Sequence, residues 1–182
     1  MVHHLQTIFK DDNVAVACIY CNYKEQIEQE VPNLVASLLK QIVQDQCETS
    51  DNVKSLYQLH NDQSTRPTLD EFTATLESEI QVRAYSKVFI VVDALDECPE
   101  DNRVNLLDEL RSLPKAVNLM VTSRYLSSIA REFQGAIRLD IRANDQDVRR
   151  YVKGRIVRAP RQHLKVLQES IVNKIVENVR GM

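Results

Sequence analysis

Val88-Phe89-Ile90-Val91-Val92-Asp93-Ala94-Leu95-Asp96-Glu97-Cys98 is the stretch that decides the fold. Five consecutive apolar residues, β-branched or aromatic throughout, read as a strand covered on both faces, the pattern of a parallel sheet packed between helices. The strand then delivers three acids from its C-terminal end. In an open parallel sheet that edge is where ligands bind, because loops and helix N-termini converge there. An aspartate in this position can hold Mg²⁺, usually through water, and a following acid can orient or deprotonate the water that attacks a γ-phosphate. Asp and Glu are also common in turns and helix caps, so this segment alone leaves the turn-and-cap reading open beside the metal or nucleotide one.

On either side the chain alternates short β-rich runs with amphipathic helical segments, which predicts an α/β domain with an open, mostly parallel sheet flanked by helices. Upstream, residues 2–10 read as the tail of a helix with Leu5, Ile8 and Phe9 on one side, and the Asp11-Asp12-Asn13 turn leads to a strand over 14–21. Pro32 sits near a helix start, and Leu34, Val35, Leu38, Leu39, Ile42 and Val43 repeat with helical spacing to about Asp45. A weaker helix covers about 51–60, and 61–67 reads as an exposed loop. Thr68 and Glu71 have capping-box spacing at the head of a helix that runs to about Ala84.

Downstream, a helix over about 101–112 turns Leu106, Leu107 and Leu110 inward, and Val117–Thr122 is a second buried-type strand ending in Ser123-Arg124. A guanidinium therefore reaches the same sheet edge as the acids, where it can contact a terminal phosphate; the bland alternative is a surface arginine paired with a nearby carboxylate. A short helix near 126–132 precedes a strand over 136–141. Asn144 caps the next helix with Asp147 at the third position, and Val148, Tyr151, Val152 and Ile156 are expected to face in. Pro160 breaks the chain before a last helix marked by Leu164, Leu167, Ile171, Ile175 and Val179.

Composition narrows the function. The 182 residues, 43% hydrophobic and 27% charged, suit one soluble domain. Three glycines, Gly135, Gly154 and Gly181, cannot write a G-x-x-x-x-G-K-[ST] phosphate loop or a G-x-G-x-x-G dinucleotide turn. Net charge is −3 and the pI about 5.8, so no nucleic-acid or membrane partner is called for. Residues 138–165 carry nine Lys or Arg against three Asp. Arg149, Arg150, Lys153, Arg155 and Arg158 fall on one predicted helix and read as a solvated face rather than an anion-contacting one.

The first thirty residues have no signal-peptide pattern, which places the chain in a reducing, cytoplasmic setting. Cys18 and Cys21 form a C-x-x-C on a strand, where that spacing sends the side chains to opposite faces, so they read as structural rather than as a redox or zinc pair. His3, His4, His60 and His163 occur at no metal-ligand spacing.

Two motifs, in order, make a resemblance. Val88 to Cys98 resembles the Walker B segment of NACHT-type signal-transduction P-loop NTPases of the STAND class, nearest to the fungal group with a nephrocystin-3-like N-terminal domain. Asn118-Leu119-Met120-Val121-Thr122-Ser123-Arg124 resembles their sensor strand. Ile19–Tyr23, Leu34–Gln41, Arg66–Leu69, Arg138–Ile141 and Asp147–Tyr151 match the same group in the expected order.

The resemblance implies a nucleotide-binding switch domain that takes Mg with ATP or GTP, often followed by ankyrin, WD40 or TPR repeats. Asp93 would organise the metal, Asp96 and Glu97 would support hydrolysis, and Arg124 would be the sensor arginine. It further implies a partial domain. Residues 1–143 would be the α/β nucleotide-binding core without its P-loop and first strand, and 144–182 the start of the following helical region. Such a fragment is expected to have negligible hydrolysis alone and to expose sheet edges that favour association. Two other readings stay open: a non-catalytic interaction module that self-associates or binds full-length relatives, and a metal-dependent hydrolase working without a P-loop.

Overall fold

The computed structural model describes residues 2–9, 13–27, 29–44, 48–141, 144–158 and 167–179. They fall into two compact units, 1–134 and 135–182.

The first unit is an α/β layer structure. Its helices are α1 (Val2–Ile8), α2 (Val31–Gln44), α3 (Asp51–Gln63), α4 (Leu69–Val82), α5 (Glu100–Ser112) and α6 (Ser127–Glu132), and its strands are β1 (Val14–Tyr20), β2 (Lys87–Asp93) and β3 (Val117–Val121). The sheet is parallel throughout, in the order β1-β2-β3. Tyr20 pairs with Asp93 and Val92 with Val121, so all three strands end together on one edge.

β2 is central because its sequence has no polar face. Val88, Ile90 and Val92 are fully buried in one core with Leu38 of α2, Leu76 of α4 and Leu106 and Leu107 of α5. Each such aliphatic side chain contributes about 1.5–3 kcal/mol on burial. The other face carries Val91, also buried, and Phe89, whose ring stacks on Phe9 at 5.4 Å between centroids.

The outer strands differ from each other. On β1, the Gln41 side chain acts as a substitute strand: its Oε1 accepts from the Cys18 N–H at 2.9 Å and its Nε2 donates to the Cys18 carbonyl at 2.8 Å. Gln29 does the same two residues on, accepting from the Asn22 N–H and donating to the Tyr20 carbonyl, both at 3.0 Å. β3 alternates half-buried Val117, Leu119 and Val121 with exposed Asn118 and Met120. It is a one-sided edge strand and not the fully buried one its composition predicts.

Local signals explain several helix starts. Thr68 and Glu71 form the expected capping box on α4. Ser50 caps α3 by accepting from the Val53 N–H, and α3 runs three residues past the expected end, to a left-handed Ser64.

The second unit contains α7 (Asp145–Arg158) and α8 (Gln168–Val179). Val152, Ile156, Val172 and Val176 form their shared core, tied by Lys153–Glu169 at 2.7 Å and by Arg149 donating to Asn173 at 2.7 Å. Asn144 accepts from the Gln146 N–H at the start of α7, as a cap should. Tyr151, expected inside, is exposed: it lies beside the stripe made by Val148, Val152 and Ile156.

The strand expected over 136–141 is not formed. Ile137, Leu139 and Ile141 alternate with polar residues as a half-buried strand would, yet all three are exposed. Among the described residues this segment has neither a ladder partner nor a core to cover its apolar side, and alternation without both does not make a strand. The expected helix start near Leu164, the break at Pro160 and the turn residues Asp11 and Asp12 lie outside the described residues.

Candidate functional site

At the common C-terminal edge of the strands, β2 passes into a tight loop and a 3₁₀ turn, Leu95–Glu97. Ala94 opens that turn in the left-handed region, φ 55° and ψ 46°, a conformation that costs a residue with a Cβ. It is held there by Thr122, the residue after β3. The Thr122 N–H donates to the Val92 carbonyl and its own carbonyl accepts from the Leu95 N–H, both at 2.9 Å. Its hydroxyl accepts from the Ala94 N–H at 3.0 Å and donates to Asp93 Oδ1 at 2.5 Å. One threonine thus fixes both the loop and the first acid.

The structure brings together the four residues singled out from the sequence. Asp93 is half-buried at the end of β2, against Thr122. Asp96 is bound twice by Arg124, whose backbone N–H reaches Oδ1 at 2.9 Å and whose Nε reaches Oδ2 at 2.5 Å. The Asp96 side chain is 4% exposed and that of Arg124 81% exposed. Glu97 Oε2 accepts from the Tyr23 N–H at 3.2 Å, which joins the loop to the chain leaving β1. Burial pushes the Asp96 carboxyl up, but the hydrogen bonds and charge of Arg124 outweigh it and hold the group below the usual carboxylate range.

Chemically, the edge offers one half-buried carboxylate with a hydroxyl beside it, a masked carboxylate, a third acid at the rim and an exposed guanidinium. Mg²⁺ keeps several of its waters and takes one or two carboxylates together with substrate phosphates. Asp93 fits that role, and Arg124 is placed where an anion could draw its side chain from Asp96. The set does not fit an all-protein cage: among the described residues no three His, Cys, Asp or Glu side chains converge on a shared metal position.

Several participants are not legible as site residues in the sequence. Thr122 is an ordinary strand residue there; its signal is its place immediately after an apolar strand and before Ser123-Arg124. Buried Arg103, on the first turn of α5, lies within reach of Glu100 and Ser128 at 3.4 Å each. Cys21 is buried in the main core, as is Cys98, whereas Cys18 turns to Gln41, so the C-x-x-C residues do separate to different surroundings. Among the described residues, no helix is long and apolar enough to cross a membrane.

The family model described as nephrocystin 3, N-terminal, matches residues 1–124, from α1 through Arg124. No curated protein and no solved structure matches the chain.

Proposed function

Because the chain belongs to the nephrocystin 3 N-terminal family, we propose that it carries the metal and sensor side of a nucleotide-binding switch domain. The domain is of the NACHT type, takes ATP or GTP with Mg²⁺, and does not turn nucleotide over with these 182 residues alone. The observation that carries the reading is that the segment after β3 meets the acids after β2 at one sheet edge, Thr122 on Asp93 and Arg124 on Asp96.

In this reading Asp93 would hold Mg²⁺, with Thr122 keeping the carboxylate oriented, and the metal would supply charge to offset that of the phosphates. Arg124 leaves Asp96 for the terminal phosphate, an exchange of one anion for another at a guanidinium that is already solvated. Asp96, once released, and Glu97 become available to orient water. Phosphate recognition rests mainly on a nest of backbone N–H groups and a cation, and the sequence before Gly135 has no glycine with which to build one. Hydrolysis is therefore expected to be negligible. Phosphate release from ATP and GTP with Mg²⁺ tests this: magnesium-dependent turnover that disappears in Asp93→Asn would overturn it.

A second reading is an interaction module without catalysis. It is favoured by the half-exposed edge of β3, where Met120 faces solvent. Size-exclusion chromatography separates the two, since a stable monomer indifferent to nucleotide counts against the module.

A further inference from the structure

We propose that the outer face of α7, built on Arg150, Tyr151, Arg155 and Arg158, docks on the acidic surface of residues 1–134 of a second copy of this chain, head to tail. The face is defined by the helix itself. Val152 and Ile156 are buried in the core shared with α8, and Arg149 and Lys153 lean to the same side, onto Asn173 and Glu169. Arg150, Tyr151, Gly154, Arg155 and Arg158 recur at steps of three and four residues on the opposite side, and all are exposed. Among the described residues Arg150, Arg155 and Arg158 have no hydrogen-bond or ion-pair partner. Their guanidinium groups stand against the single carboxylate of Asp147 on the same face. Gly154 lies in the middle. A glycine inside a helix costs stability relative to alanine, yet no contact among the described residues requires it, since a Cβ there would meet nothing within 4 Å. It leaves a flat place between the arginines where a partner can approach the helix backbone.

Charge selects the partner. Residues 135–182 carry eleven Lys or Arg against five Asp or Glu, a net of +6, and residues 1–134 carry twelve against twenty-one, a net of −9. These are the two compact units, so the chain is divided into a basic and an acidic body. On the acidic one, exposed acids such as Glu25, Glu30, Asp62, Asp70 and Asp101 have side chains without partners among the described residues. A second copy therefore brings the sign complementary to α7. A nucleic acid or an anionic membrane would meet the same arginines, but the excess negative charge of residues 1–134 would repel it. Tyr and Arg are the side chains that interfaces favour, and Tyr151 supplies apolar area between the charges. The two surfaces differ, so the contact is heterologous: a bound copy still offers a free α7 and a free acidic surface, and association continues past the dimer. The inference rests on the interaction-module reading, to which it gives a surface, and needs neither nucleotide nor the edge of β3.

The test is sedimentation equilibrium of the whole chain over a concentration series at about 20 mM and about 500 mM NaCl. The expected result is mass above that of a dimer at low salt, with association weakened at least about tenfold at high salt. A variant combining Arg150→Gln, Arg155→Gln and Arg158→Gln should sediment as a monomer at low salt with an unchanged circular dichroism spectrum, since these side chains are exposed and unbonded. Labelled and mixed with wild type, it should still be drawn into complexes, because its acidic surface is intact. A wild-type monomer at every concentration overturns both the inference and the interaction-module reading. Association that neither salt nor the variant weakens overturns the inference alone and leaves that reading standing. Failure of wild type to capture the variant overturns the acidic surface as the acceptor. Wild type that binds a single-stranded DNA oligonucleotide or a phosphatidylserine vesicle through these arginines while remaining monomeric overturns the second copy as the occupant.

Discussion

Arg124 is bonded to Asp96 through both its backbone N–H and its Nε, so the exposed cation of the sheet edge and a carboxylate almost hidden from solvent are held as one unit. The pair links the loop after β2 to the loop after β3. It also sets a condition on any phosphate at this edge, which must compete with Asp96 for the guanidinium.

That pairing makes stability depend on acid. The folded Asp96 titrates below its unfolded value, near pH 4, so its contribution is fully present above about pH 4 and is lost as pH falls through the depressed folded value. Urea unfolding of wild type and Asp96→Asn across pH 2–7 checks it. The wild-type advantage should hold from about pH 5 upward and shrink below about pH 4.

Thr122→Val keeps the shape of the side chain but removes the hydroxyl that serves Ala94 and Asp93. Chemical denaturation should show a loss of about 1–3 kcal/mol, since a part-buried N–H and a carboxylate both lose a partner.

Ala94→Gly should move the other way. At φ 55° a Cβ is unfavourable, and glycine relieves it, offset in part by its larger unfolded-state entropy. The expected gain is about 0.5–1 kcal/mol, read as a shifted urea midpoint at unchanged slope.

Gln41→Ala strips both backbone hydrogen bonds and the thiol's bond from Cys18 and opens the outer edge of β1. Stability should fall by about 1–3 kcal/mol. Light scattering should report more concentration-dependent association than in wild type, because the exposed groups form a pairing template.

The sheet and its helices were legible because they rest on local patterns. The doubly covered run Val88–Val92, the stripe from Leu34 to Ile42 and the Thr68–Glu71 capping box each state their own structure, and the acids and Arg124 follow from where two apolar strands end. What was illegible depends on contacts distant in sequence. Gln41 stands on the buried stripe of α2, one heptad after Leu34, a polar residue in an apolar place; that it serves as a strand for Cys18 requires knowing that β1 lies beneath. Cys21 and Cys98 are 77 positions apart in the chain, and only the fold places both in one core. Ile137, Leu139 and Ile141 misled for the converse reason: alternation states a preference for a sheet without supplying the neighbouring strand.

The claim that Asp93 and Arg124 belong to a nucleotide site is tested most directly by titrating the protein with ATP, with and without Mg²⁺, beside Asp93→Asn. The account predicts weak binding that requires the metal and falls at least about tenfold in the variant. Binding equal with and without Mg²⁺ and unchanged in Asp93→Asn, or no binding into the millimolar range, would contradict it.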